Sequence, residues 1–302
     1  MPGAIDVHQH LWPPGFVEAL RARREAPYLR GWTLHTAGEP PYDVDPAAHE
    51  VDKRLSRERA EGTALVALAL SSPLGIERLD DPALLDAWHS GATGLPEPFR
   101  AWAAPRLPEP DLTELAGLLD RGFAGIQLPA DAVPTPAGWE SLGDLLELAR
   151  NANRPVLVHP GPAHQPDRDR PGWWAPVVDY TAQLQAAWWA WHALGGRRLF
   201  PGLRICFTGA AGLAPVHHER LVARGGTLGT IDPGLFVDTS GYGPQAIDAV
   251  ARILGIDQVV HGTDRPYAEA ADLRQGDAAA AAIRRTNPHR LLFGANPGRG
   301  EE

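Results

Sequence analysis

Two histidines close the first apolar stretch of the chain, Ala4-Ile5-Asp6-Val7-His8-Gln9-His10. In an extended backbone, residues two apart point to one face, so His8 and His10 can bring both imidazoles to a single point. Neutral imidazole is a good ligand for Zn, Mn, Fe or Ni, and metal binding is the chemistry this spacing offers. Two later segments offer matching groups: His159 in Val156-Leu157-Val158-His159-Pro160, and Asp264 in Gly262-Thr263-Asp264-Arg265-Pro266. Alone, each has an ordinary structural reading, a satisfied buried histidine for one and an Asx turn before proline for the other. Three nitrogens and a carboxylate converging on one centre would instead make a catalytic metal site with open coordination positions.

Convergence depends on the elements that carry these residues. Apolar runs at 4–10, 63–70, 99–104, 123–128, 155–159, 203–207, 235–238 and 258–262 read as strands buried on both faces. Helical patterns follow most of them, at 81–90, 112–120, 139–151, 213–223 and 244–254, with a Trp-rich helical segment running to about 194. Asp45-Pro46 opens a charged helix through about residue 60, with Asp45 as N-cap and Pro46 at the first helical position. Eight strand–helix alternations predict a parallel sheet, and their span fits a single (β/α)8 TIM barrel over residues 1–302. An open doubly wound sheet is the alternative, but no G-x-G-x-x-G follows the first strand. In a barrel, His8, His10, His159 and Asp264 fall at the carboxyl ends of strands one, five and eight, on the face where barrel active sites lie. Segments 12–46 and 163–198 are the long interruptions; the first is expected to hold a helix only near 16–24.

Composition narrows the function class. The 302 residues are 44% hydrophobic and 22% charged, with net charge −9, which gives no electrostatic case for nucleic acid or an anionic membrane surface. The single cysteine, Cys206, excludes an intrachain disulfide and fits a reducing compartment. With no apolar run long enough to span a bilayer, a cytoplasmic location is expected.

These motifs together resemble the amidohydrolase superfamily, in the branch of aminocarboxymuconate semialdehyde decarboxylase and the resorcylate-type decarboxylases. The resemblance also takes in Phe236-Val237-Asp238-Thr239-Ser240 and Asn287-Pro288-His289-Arg290-Leu291-Leu292-Phe293, and covers nearly the whole chain. It implies that His8, His10, His159 and Asp264 hold one divalent metal, Zn foremost and Mn as the alternative, with Asp264 also catalytic. The implied reaction is removal of CO2 from a cyclic or unsaturated carboxylic acid. Metal-dependent hydrolysis of a lactone, amide or ring C–N bond would use the same ligands, and a metal-binding protein with altered chemistry is the third reading.

The sequence departs from that family at the sixth strand, which normally ends in a histidine opening H-G-G-G-x-x-P. Here the run is Gly209-Ala210-Ala211-Gly212-Leu213-Ala214-Pro215, with Arg220 in register, so Gly209 stands where the histidine belongs. His164, five residues past His159, is the expected substitute; His217 and His218 read as a polar helix face. Arg265 is expected to reach a substrate carboxylate. Trp173 and Trp174, with Trp188, Trp189 and Trp191, read either as core packing or as a substrate wall and homodimer contact. The partner is a small-molecule substrate.

Overall fold

The computed structural model describes residues 3–163, 170–227 and 231–294. Eight parallel strands form its centre: β1 (Ala4–Gln9), β5 (Thr63–Leu68), β6 (Phe99–Ala101), β7 (Ile126–Pro129), β8 (Val156–His159), β9 (Ile205–Phe207), β10 (Leu235–Asp238) and β11 (Val259–Val260). They pair as β1-β5-β6 and β11-β10-β9-β8-β7. Backbone hydrogen bonds join the two sheets at both seams. Ala103 pairs with Ile126, and the Gln127 N–H donates to the Ala103 carbonyl at 2.8 Å. Gln9 pairs with Arg265, and the Val7 N–H donates to the His261 carbonyl at 3.0 Å. The expected ring of eight strands is thus present, each within a few residues of its predicted place.

Helices α1 (Pro14–Ala22), α2 (Val51–Glu61), α3 (Ala83–Thr93), α4 (Leu112–Asp120), α5 (Pro136–Ser141), α6 (Gly143–Asn151) and α7 (Tyr180–Leu194) follow in chain order. Short helices α8 (Gly196–Leu199) and α9 (His218–Ala223), then α10 (Pro244–Leu254), α11 (Gly276–Ala281) and α12 (Asn287–Phe293), complete them. Asp111 caps α4 by accepting from the N–H groups of Thr113 and Glu114, which fixes where that helix begins. Asp45 accepts the Ala47 N–H as expected, but the chain makes a short 3-10 turn over Pro46–His49 and restarts as α2 after Glu50. None of the described helices is long and apolar enough to cross a membrane.

Burial divides the strands into two faces. Alternate residues, Ile5, Val7, Leu65, Ala67, Leu157, Cys206, Phe236 and Val260, form an inner cluster that Leu291 and Leu292 of α12 join. The opposite faces pack against the helices in a larger outer cluster. Both faces lose their apolar surface to water, which accounts for strands that are apolar at nearly every position.

The segment 12–46 departs from expectation. Besides α1 it holds an antiparallel sheet of β2 (Tyr28–Arg30), β3 (Thr33–His35) and β4 (Tyr42–Asp43). Strands this short carry too little alternation to be read from sequence. The sheet rests on the barrel: Gly38 lies against the Ala163 backbone so closely that a Cβ there would overlap it.

On α3, buried His89 accepts the Ala104 N–H at 3.2 Å through Nε2. Burial, helped by Arg121, pushes this imidazole down to about 4. The unfolded chain therefore binds a proton near pH 6.5 that the folded chain refuses until about pH 4. Stability is fully present above that window and falls as pH drops through it, at about 1.4 kcal/mol per unit. His89→Gln retains an acceptor for Ala104, and denaturant melts from pH 7 to 4 are expected to show a pH slope smaller by about one proton.

Candidate active site

A β-bulge aims the first two histidines. Ile5 and Val7 face the inner cluster, so strict alternation would send His8 and His10 outward. The register between β1 and β5 slips by one between Asp6 and Gln9, where Asp6 pairs with Val66 and Gln9 with Leu68. That extra residue lets His8 and His10 continue on the inner side while Asp6 and Gln9 turn away from it. Bulges of this kind commonly re-aim side chains beside active sites.

His8, His10, His159 and Asp264 then come together, with one potential ligand atom from each lying within 4.8 Å of all the others. The three imidazoles stand edge-on to one another with ring centroids 5.0–5.1 Å apart. Asp264 Oδ1 lies 3.1 Å from His10 Nε2 and 3.5 Å from His8 Nε2. Asp264 itself adopts a left-handed backbone, φ 62°, a conformation aspartate tolerates better than most residues.

Each ring is held by its other nitrogen. His8 Nδ1 donates to Asp238 Oδ2 at 2.8 Å, His10 Nδ1 to the Ala69 carbonyl at 2.9 Å, and His159 Nδ1 to the Pro160 carbonyl at 2.9 Å. These bonds place the proton on Nδ1 and leave the Nε2 lone pairs free. His8 and His10 Nε2 are only 3.2 Å apart, and Asp264 Oδ1 lies beside both. Three imidazole nitrogens and a carboxylate turned toward one point are a donor set that fits a divalent metal. Burial holds His10 and His159 below the usual imidazole range. Burial also lowers His8, but Asp238 first, then Asp264 and Asp6, more than offset it and raise it.

Asp238 is the residue that sequence spacing did not mark. It is fully buried at the end of β10, and its other oxygen accepts the Gly209 N–H at 2.7 Å, the Ser240 N–H at 3.0 Å and the Ser240 hydroxyl at 2.6 Å. Behind the pair lies a second polar layer. Asp6 accepts from Gln9 Nε2 at 2.7 Å and from the Thr263 hydroxyl at 2.8 Å, and Gln9 also donates to Glu58 at 3.1 Å. Arg54 donates to the His10 carbonyl at 2.8 Å and to Gln9 Oε1. The one legible signal for this layer was Asp6, an acid inside an apolar run.

Gly209 carries more than the absence of a side chain. Residues 209–213 form a left-handed turn with φ between 48° and 64°, in which Ala210, Ala211 and Leu213 each sit where L-residues lose about 1–2 kcal/mol. Helix α7 clamps the turn: Gln185 Nε2 donates to the Gly212 carbonyl at 2.7 Å, and Gly212 packs on the Thr181 backbone. A Cβ at Gly209 would meet only Leu184 at 3.5 Å and Tyr242 at 4.0 Å, so space is present and backbone conformation is the obstacle.

Other expected site residues fall elsewhere. His164 lies outside the described residues. His217 is exposed, and His218 tilts against Trp189 at 5.4 Å, as a helix face would. Arg265 is a correction: its guanidinium is buried and donates to Glu61 at 2.8 Å, Glu269 at 3.1 Å and Glu58 at 3.4 Å, so it is not left for a substrate carboxylate. Trp188 and Trp191 are core, packed on Phe207 and Trp139. Trp173 is 56% exposed beside Trp174, whose ring the Arg170 guanidinium covers at 5.2 Å. Tyr267, which the sequence did not mark, lies edge-on to His10 at 5.2 Å.

Two substitutions test the support of His8. Asp238→Asn keeps the shape but disturbs the tautomer, and is expected to weaken divalent metal affinity about 10–100-fold by chelator competition, with the fold intact. Gly209→Ala is expected to lower stability by about 1 kcal/mol in denaturant titration, because it puts a Cβ on a left-handed residue.

No family model matches the sequence, and no curated protein does. Solved structures do. The 5-carboxyvanillate decarboxylase of Sphingomonas paucimobilis superposes with TM-score 0.75 at 17% identity, over 97% of this chain and 99% of that one. IDCase of Metarhizium anisopliae, in apo form, gives 0.74 at 17%, over 96% and 97%. A dihydroxybenzoic acid decarboxylase from a Polaromonas species, with bound manganese and the inhibitor 2-nitroresorcinol, gives 0.63 at 18%, over 97% of each chain. At these identities the likeness is one of fold, and the chain has the barrel fold of the amidohydrolase-type decarboxylases.

Proposed function

We propose that this protein is a metal-dependent carboxy-lyase acting on a cyclic or aromatic carboxylic acid. The observation that carries the reading is the set of three imidazole Nε2 atoms and one carboxylate at the mouth of a barrel shared with decarboxylases of aromatic acids. His8, His10, His159 and Asp264 would hold the ion, and the manganese of the Polaromonas enzyme makes Mn the first to load, with Zn the alternative. When bound, a divalent ion supplies positive charge that fixes and polarises an acid's oxygens.

The chain's own residues do the rest. Asp238, the Ala69 carbonyl and the Pro160 carbonyl keep the three rings in the tautomer that leaves Nε2 open. Tyr267 covers the side of His10 and narrows access of water. Loss of CO2 leaves an electron pair on carbon, and one proton must be delivered there to complete the product. No side chain at Gly209 can deliver it, and we assign that role to His164 on its position in the sequence beside His159. The same reading takes residues 1–302 as one catalytic unit. It pairs two copies through the Trp-rich segment, where Trp173, Val177 and Leu199 are exposed; light scattering at monomer mass would exclude the dimer.

The test is CO2 release from a panel of aromatic and unsaturated acids by protein reconstituted with Mn or Zn. Turnover with loss of the carboxyl carbon is expected, and a product that keeps it and gains water would make the enzyme a hydrolase. Asp264→Ala is expected to abolish turnover and deplete metal without unfolding the chain; a fully active, folded variant would overturn the ligand set. His164→Ala is expected to reduce kcat at least about tenfold at unchanged metal content. Gly209→His is expected to leave the native reaction no faster, since the left-handed turn resists the side chain.

A further inference from the structure

Charge, not apolar surface, docks α2 on the barrel. Its two buried side chains are Arg54 and Glu58, one turn apart on a single face, while Val51 and Leu55 are only partly covered. Other barrel helices bury apolar side chains at the equivalent contact: Leu115, Leu118 and Leu119 on α4, and Ile247, Val250 and Leu254 on α10. Replacing a buried set of charges by apolar residues of similar volume is often neutral or stabilising. Stability alone therefore gives no reason for Arg54 and Glu58 to occupy these positions.

What the pair holds is the metal centre. Glu58 is 0% exposed, and its Oε1 accepts from Gln9 Nε2 at 3.1 Å and from Arg265 Nη1 at 3.4 Å. Gln9 stands between His8 and His10, and Arg265 directly follows Asp264, so one oxygen spans the two segments that carry three of the four ligands. Arg54 holds the first segment as well: Nη1 donates to the His10 carbonyl at 2.8 Å and Nη2 to Gln9 Oε1. Glu61 and Glu269 accept from the Arg265 guanidinium at 2.8 and 3.1 Å, which keeps it turned toward α2. The main chain joins the same segments, with the His10 N–H on the Arg265 carbonyl at 2.6 Å and the Asp264 N–H on the His8 carbonyl at 2.8 Å. His159 is held apart from this set, by the Pro160 carbonyl.

We propose that Glu58 is a positioning residue that couples the docking of α2 to metal binding: by holding Gln9 against Arg265, it sets His8 and His10 relative to Asp264. Such coupling is reciprocal, so a helix that prepares the ligands must itself be stabilised, by the same factor, when the ion binds. The inference rests on the ligand set of His8, His10, His159 and Asp264, and not on the carboxy-lyase reading.

The experiment compares amide hydrogen exchange of the full chain with and without Mn or Zn, and compares Glu58→Met with wild type. Glu58→Met keeps the length of the side chain and removes the acceptor, whereas Glu58→Gln keeps an acceptor. Saturating metal is expected to slow exchange in α2 at least about tenfold more than in α4, because the ion opposes only those openings that dismantle its site. Chelator competition is expected to show metal held at least about fivefold more weakly by Glu58→Met, with Glu58→Gln recovering most of the loss. In metal-free protein, Glu58→Met is expected to shift the imidazole 15N resonances of His8 and His10 more than those of His159. Equal slowing in α2 and α4, or a folded Glu58→Met with wild-type metal affinity, would overturn the coupling. The exchange comparison on wild type needs no variant, and it decides the matter if Glu58→Met fails to fold. Failure of the wild type to take up either metal would sink the ligand set instead. The metal-free resonances then decide alone, and His8 and His10 left unmoved by Glu58→Met would overturn the positioning role.

Discussion

Three imidazole nitrogens are turned toward one point, and the remainder of this fold is arranged to keep them there. No local preference of β1 would hold His8 and His10 with Nε2 atoms 3.2 Å apart. What holds them is a hydrogen bond at the back of each ring, to Asp238, to the Ala69 carbonyl and to the Pro160 carbonyl. Asp238 and Ala69 stand at the ends of two strands other than β1, while Pro160 directly follows His159, so the setting of the first two histidines is a property of the assembled barrel. Behind β1, Asp6, Gln9, Glu58, Arg54 and Thr263 pair among themselves in a layer that is buried throughout. Such a layer fixes strand register, because sliding β1 by one residue would leave buried charge unpaired.

The strands and the metal-binding set were legible because both leave strong, local marks. A short valine-rich run such as Val156-Leu157-Val158 reads as a strand buried on two faces, and a histidine closing such a strand emerges at its carboxyl end. Trp188 and Trp191 were rightly open to reading as core, since aromatic residues at helical spacing usually are. Other features depend on residues far apart in the chain, and sequence hides them. Arg265 looks available in Asp264-Arg265-Pro266 until α2 brings Glu58 and Glu61 to it across some two hundred residues. The bulge in β1 shows only in its register with β5, and happens to give the same result as the simple two-residue rule. The antiparallel sheet between α1 and α2 has strands of two or three residues, below the length at which alternation means anything.

Gly209 shows both limits. Its mismatch with the pattern that the sequence resembles could be read directly, but the left-handed course of the chain could not, since Ala210, Ala211 and Leu213 are residues that avoid it. The clamp from α7 and the Gly209 N–H bond to Asp238 hold that course in place.

The Gly209 N–H on Asp238 has a consequence for how the site can change over generations. A side-chain donor disappears with one codon change, whereas a main-chain donor is common to every residue except proline. Nineteen of the twenty amino acids at 209 would still present an N–H, so the bond to Asp238 is exposed to drift only through the path of the backbone. Variation at this position would therefore be filtered by conformation, and the orientation of His8 would outlast most changes in the chemistry carried out in front of it.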